Sequence, residues 1–193
     1  APGNRRFSHA ETILLGVLLI LTLWVYLPAL RHSFTNWDDN DYVTENRFIR
    51  DPDGAAIEHI FTQPIALNYH PLTILSLALN HAWSGDEPWS YFLVNILLHL
   101  CNVLFTWRLI LALFPGRRIL ALWVAAVFAL HPMHVESVAW ISERKDVLYL
   151  FFFLPALIAW IRHLRTGRYT WYGISLALFV FSGLWKPSAV IFP

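Results

Sequence analysis

The sequence predicts an all-α fold, a polytopic membrane helix bundle of about five transmembrane helices plus short interfacial helices in the first outer loop. Three observations carry that reading. The 193 residues are 57% hydrophobic and 16% aromatic, with ten tryptophans. Only 14% are charged, against about 25% in an ordinary soluble domain, and mean hydropathy is +0.49. The apolar residues fall into long runs punctuated by Pro, Gly and Arg. Such a composition excludes a disordered chain, a disulfide-rich secreted domain and a basic nucleic-acid binder. The lone Cys101 sits in an apolar run and offers neither an intrachain disulfide nor a cysteine metal site.

The first predicted span is 12–30, 19 uncharged residues behind Arg5 and Arg6, enough to cross a hydrocarbon core about 30 Å thick. Leu27-Pro28-Ala29-Leu30-Arg31 makes a poor cleavage site, so the segment reads as a retained helix. The start at Ala1 without Met points to processing or to an incomplete N-terminal record. Residues 31–88 form a polar, aromatic outer loop holding nine of the 13 carboxylates. Within it, Asp51-Pro52-Asp53-Gly54 is a turn signal, and residues 55–62 and 71–83 are amphipathic helix candidates. The second sets Leu72, Leu75, Leu79 and Trp83 on one stripe and is short enough to read as an interfacial helix. Further spans are expected at about 89–114, 118–131, 147–162 and 169–185, the third the shortest. Pro155 is tolerated inside the fourth. All of this makes residues 1–193 a single transmembrane unit.

Charge fixes an expected orientation. With the N-terminus cytoplasmic, the short inner segments hold Arg5, Arg6, Arg117, Arg118, Arg162, Arg165 and Arg168, as the positive-inside rule favours. All carboxylates except Glu11 then fall outside, with loop 31–88 and the polar segment 131–146 extracytoplasmic. The balance of 14 basic against 13 acidic side chains thus hides a sided molecule.

Two segments are rich enough in ionisable groups to carry chemistry. Asn36-Trp37-Asp38-Asp39-Asn40-Asp41-Tyr42 sets three carboxylates in four positions just beyond the first span. Such groups repel unless solvated, protonated or met by a cation. The segment reads as a solvated acidic loop, as a general base, or as a divalent-cation site on Asp38, Asp39 and Asp41. The stretch from His131 to Asp146 is the second. On one continuous helical wheel Glu136 and Glu143 lie about 20° apart, with His134 and Lys145 opposite. It reads as a polar juxtamembrane loop or as a functional pathway; His131, His134 and Glu136 are poorly spaced for a metal. His70 and Lys186 stand alone, but on the same outer side. Asn95 and His99, within the second span, read as helix-packing hydrogen bonds.

Trp37-Asp38-Asp39, Asn68-Tyr69-His70-Pro71-Leu72-Thr73, Leu93-Val94-Asn95-Ile96-Leu97-Leu98-His99 and the run from Leu130 to Ala139 together resemble membrane glycosyltransferases of the C type (GT-C). Within that class the chain most resembles the transmembrane and tetratricopeptide-repeat O-mannosyltransferases and their bacterial relatives. Its His-Pro stretch, its Ser142-Glu143-Arg144-Lys145-Asp146 helix and its Lys186-Pro187 pair carry that likeness.

The resemblance implies that an extracytoplasmic aspartate deprotonates an acceptor hydroxyl, which displaces a polyprenyl phosphate from a sugar. Carried over, Asp38 or Asp39 is the base, with Asp39 preferred. His131, His134, Glu136, Arg144, Lys145, Lys186 and His70 become the donor-binding candidates. Expected partners are membrane lipid, a polyprenyl-phosphate sugar and other subunits of a membrane complex, with no nucleic acid. The expected location is an integral membrane site, a bacterial inner membrane in preference to a eukaryotic endoplasmic reticulum. Family members carry roughly twice as many membrane helices, so the chain reads as the N-terminal half of such an enzyme. The alternative is a truncated, non-catalytic GT-C-derived subunit with a structural or assembly role in a larger membrane complex.

Overall fold

The computed structural model describes residues 9–186. Arg5, Arg6 and Pro187, used above for orientation and motif, lie outside the described residues. The regular structure of the described chain is helical, apart from an isolated bridge between Ile65 and Asn68.

Helix α1 (His9–Tyr26) follows the first apolar run, and Pro28 converts its end to a 3-10 turn at Leu27–Arg31. The loop that follows is ordered. A π-type turn at Asn40–Thr44 leads to α2 (Arg47–Arg50), whose first turn is capped by the Asn46 side chain accepting from Phe48 N–H at 3.0 Å. Helix α3 (Gly54–Thr62) starts where Asp53 accepts from Ala56 N–H at 2.7 Å; a side-chain acceptor at that position relieves an orphan donor. Prolines open α4 (Pro71–Ser84) and α5 (Pro88–Leu113), positions where the missing N–H costs nothing. Helix α6 (Arg118–Leu130), the short α7 (His134–Ala139), α8 (Arg144–Thr166) and α9 (Tyr169–Trp185) complete the chain. Gly167 stops α8 in the left-handed region, at φ 66°.

Among the described residues, three helical stretches are long and apolar enough to cross a membrane: His9–Arg31, Pro88–Leu113 and Ile141–Thr166. The other two expected spans are helices at the expected places but shorter. Helix α6 has 13 residues and α9 has 17, rising about 20 and 26 Å at about 1.5 Å per residue. The apolar helices present Ile13, Ile20, Trp24 and Trp123 outward, as lipid-facing helices do.

Small and polar side chains close the interhelical seams. Ala121, Ala125 and Ala129 of α6 are fully buried against Val103 and Trp107 of α5. Ser175 donates to Ala156 O at 2.9 Å and Ser182 to Tyr149 O at 3.1 Å, joining α9 to α8. Such residues let apolar helices approach closely. Asn95 and His99 do what their position in α5 predicts: Asn95 Nδ2 donates to Trp140 O at 3.2 Å, and His99 Nε2 lies 3.1 Å from Ala129 O.

Helix α4 lies where the amphipathic helix was expected, and it has two apolar faces. The stripe of Leu72, Leu75, Leu79 and Trp83 is its outer face, with Leu79 and Trp83 exposed, while Ile74, Leu77 and Ala78 are buried. That inner face joins Tyr42, Ile49, Ile60 and Ile141 in a core under the first loop. Loop 31–88 is therefore a packed layer that holds its polar residues in fixed places.

Candidate functional site

Helix α8 begins where the acidic loop, α4, α5 and the end of α9 meet, because Trp140 breaks the chain there. Its extended backbone (φ −127°, ψ 124°) separates α7 from α8. Glu136 and Glu143 thus belong to different helical pieces, and the continuous wheel expected across 131–146 does not form.

Asp39 is completely buried. Its Oδ2 accepts from the Thr35 N–H at 2.8 Å and the Thr35 hydroxyl at 2.9 Å. Its Oδ1 accepts from the Ser142 N–H at 3.0 Å and from the Ser142 hydroxyl. Four donors occupy the carboxylate's acceptor positions, which makes Asp39 an anchor between loop and α8. Asp38 beside it is half-buried and accepts no hydrogen bond among the described residues. Asp41 is exposed. The three carboxylates expected to share a cation point to different surroundings. Among the described residues, no group of three or more His, Cys, Asp and Glu side chains is placed to hold a metal ion.

Consecutive residues of α8 organise two neighbouring clusters. Lys145 pairs with Glu143 at 2.8 Å and places its Nζ 5.3 Å from the Tyr42 ring centre. Tyr42 stacks on His70 with ring centres 5.2 Å apart. Burial, and then the Lys145 charge, push the His70 imidazole down to about 4, so it is neutral near pH 7. Burial pushes the Tyr42 phenol up to about 12. Asp146, one position on, pairs with Lys186 and accepts from Ser137 Oγ at 3.2 Å. Thr73 Oγ1 donates to Trp185 O at 3.1 Å, tying the end of α9 to the first turn of α4 beside His70.

The remaining candidates scatter. His134 is half-buried, 4.5 Å from the Phe128 ring and 5.6 Å from His99; burial, then the His131 charge, lowers its pKa. His131 and Glu136 are exposed.

Arg144 turns away from the site altogether. It is fully buried, donating to Asn95 Oδ1 at 2.9 Å, Asn80 Oδ1 at 2.8 Å and Tyr91 O at 2.9 Å. Its fork is committed to α4 and α5, where it serves as a structural cation. Sequence reasoning also passed over Trp140 and Trp185. Among the described residues, their indole Nε1 atoms, like His70 Nε2, are buried without a hydrogen-bond partner. Tryptophans near helix ends read from sequence as interfacial anchors, which concealed them.

A bundle with lipid-length apolar helices and an ordered acid–base cluster at one end defines an integral membrane protein with a polar site at its helix ends. Protein O-mannosyl-transferase TMTC2 of Mus musculus is 37% identical over 188 residues, covering 88% of this chain and 22% of its own length. TMTC2 of Homo sapiens is 36% identical over the same shares. Protein O-mannosyl-transferase Tmtc1 of Drosophila melanogaster is 31% identical over 124 residues, 64% of this chain and 14% of its own length. The chain is related to the TMTC protein O-mannosyl-transferases. It spans 22% of the length of the TMTC2 proteins. No family model matches it, and no solved structure does. These relatives are animal proteins, so the expectation of a bacterial inner membrane finds no support among them.

Proposed function

We propose that the chain is the acidic-loop portion of a GT-C-type glycosyltransferase that moves a sugar from a polyprenyl-phosphate donor to an acceptor hydroxyl. The observation that carries this reading is the division of labour in the Asp38–Asp39 pair: one carboxylate is spent on anchoring and its neighbour has no hydrogen-bond partner among the described residues. It agrees with the names of the relatives.

In this reading Asp38, not Asp39, is the base. The acceptor oxygen attacks the anomeric carbon as the bond from that carbon to the phosphate oxygen breaks. The acceptor proton passes to Asp38, and the electron pair leaves with the polyprenyl phosphate. An aspartate is a weak base, so its proton transfer lags behind departure of the leaving group. Lys145 and Lys186 supply positive charge where phosphate charge develops; preorganised charge of this kind lowers the barrier. His70, neutral and with Nε2 unpartnered, offers a hydrogen bond without adding charge. Trp37, 76% exposed and edge-on to Trp140 at 6.4 Å, gives the acceptor or sugar a flat apolar face beside Asp38. The cluster faces the extracytoplasmic side, and the N-terminus is cytoplasmic.

The test is sugar transfer from a labelled polyprenyl-phosphate donor by Asp38→Asn and Lys145→Gln variants in membranes. Loss of transfer with unchanged insertion is expected for both, and unchanged thermal stability for Asp38→Asn. Normal transfer by Asp38→Asn would overturn the assignment and leave the structural-subunit reading standing.

A further inference from the structure

The opposite end of the bundle carries the second feature of chemical interest. Arg117, Arg118, Arg162, Arg165 and Arg168 sit there, at or just beyond the ends of α5, α6, α8 and α9. Among the described residues the acidic counterpart at this end is Glu11, which pairs with Arg118 at 2.6 Å. A cavity of about 480 Å³ opens among α1, α5, α8 and α9 at the same end. Its wall is apolar along Leu104, Pro155, Ile158 and Leu178, and its lining includes Arg108 and Arg162 but no carboxylate. Both arginines lie against indoles: Arg162 is 4.6 Å from the Trp171 ring centre, and Arg108 is 5.3 Å from that of Trp107.

Depth sets the kind of occupant. From Arg162 back to Pro155, or from Trp171 on to Leu178, is seven residues of helix, about 10 Å at about 1.5 Å per residue. That is roughly two-thirds of one leaflet of a hydrocarbon core about 30 Å thick. The groove is thus cationic at headgroup level and apolar for the length of a chain segment below it. Basic pockets between membrane helices recruit anionic headgroups, and an arginine fork matches phosphate oxygens.

We propose that this groove is a binding site for one anionic glycerophospholipid, its phosphate held by Arg108 and Arg162 and an acyl chain lying along Pro155, Ile158 and Leu178. The site is separate from the acidic cluster and independent of any sugar transfer. A zwitterionic lipid fills the apolar part equally well but gains less from the two cations, so the ligand is selected by headgroup charge.

Native mass spectrometry of the chain, released from nanodiscs of equal phosphatidylserine and phosphatidylcholine, tests this. Wild type is expected to retain phosphatidylserine over phosphatidylcholine by on the order of tenfold. The Arg108→Gln/Arg162→Gln variant is expected to lose that preference, and Arg165→Gln/Arg168→Gln, with the same charge removed outside the groove, is expected to keep it. Ile174→Trp, which fills the groove and leaves both arginines in place, is expected to lose both lipids. Circular dichroism and gel filtration confirm that each variant is folded. Three outcomes overturn the proposal: no headgroup preference in wild type, equal loss in both double variants, or lipid retention undisturbed by Ile174→Trp. A photocrosslinker at position 178 that captures a second copy of the chain instead of lipid also overturns it.

Discussion

Asp39 and Ser142, 103 residues apart in sequence, are joined twice: one carboxylate oxygen takes both the backbone N–H and the hydroxyl of the serine. With Thr35 engaging the other oxygen in the same way, the pair fixes the acidic loop against the start of α8. Asp39→Asn puts an amide NH₂ where two donors already point. Each charge-assisted bond lost from a buried site is worth about 1.5–3 kcal/mol. With two such bonds lost, the variant is therefore expected to lose about 3–6 kcal/mol of stability, with any transfer activity falling in parallel. Asp38→Asn is expected to leave the melting temperature within a degree or two of wild type. Thermal unfolding in detergent, read beside sugar transfer, separates the anchor from the base; equal melting temperatures for the two variants would contradict the division.

Arg144 makes a second prediction. A cation buried among neutral acceptors satisfies Asn80, Asn95 and the Tyr91 carbonyl together. Removing it strands those groups away from water. Arg144→Met is expected to cost about 3–5 kcal/mol, seen as early unfolding and protease sensitivity of α4. Arg144→Lys is expected to recover little, because an ammonium cannot reproduce the planar fork. A lysine variant as stable as wild type would argue against the fork geometry.

These two residues also mark how far the sequence could be read. The positions of α3, α4, α5, α6 and α9 follow from apolar runs bounded by Pro, Gly and Arg, signals that act locally. His70, Lys145 and Lys186 were each visible as polar groups flanking apolar runs. What stayed hidden was long-range pairing. Nothing near Asp39 announces that Ser142 will saturate it, and the neutral cage of Arg144 is assembled from α4 and α5. A wheel drawn through 131–146 failed because Trp140 is extended, which no Pro or Gly there foretells. The tight turn Ile65–Asn68 was equally silent: Ala66 and Leu67 hold positive φ, 48° and 62°, where glycine is the usual occupant.

Lys186 and Asp146 give the third prediction. Their side chains are 30% and 26% exposed, so solvent screens part of their attraction. A double-mutant cycle with Lys186→Gln and Asp146→Asn is expected to return a coupling energy of about 1 kcal/mol or less. Stability is therefore not the main consequence of the pair. If Lys186 helps to hold donor phosphate, Lys186→Gln raises the donor KM about tenfold through loss of one charge-assisted contact. A large stability loss with unchanged KM would reassign the pair to holding α9 in place.

The fourth prediction concerns acid. His70 is 3% exposed, stacked on Tyr42, with Lys145 the charged neighbour that adds to the effect of burial. In the unfolded chain the imidazole takes a proton near pH 6.5, whereas in the fold it resists until about pH 4. Between those values the unfolded state binds more protons, so stability rises with pH. The contribution of His70 is fully present above about pH 6.5 and is lost as pH falls toward 4, at up to about 1.4 kcal/mol per pH unit. His134, also lowered by burial, adds to the slope in the same direction. Asp86, held below the usual carboxylate range by Arg50, titrates lower still and leaves this window clear. Melting temperatures from pH 7.5 to 4.5 are expected to decline for wild type and to decline less steeply for His70→Gln. An unaltered slope in that variant would assign the acid sensitivity to other groups.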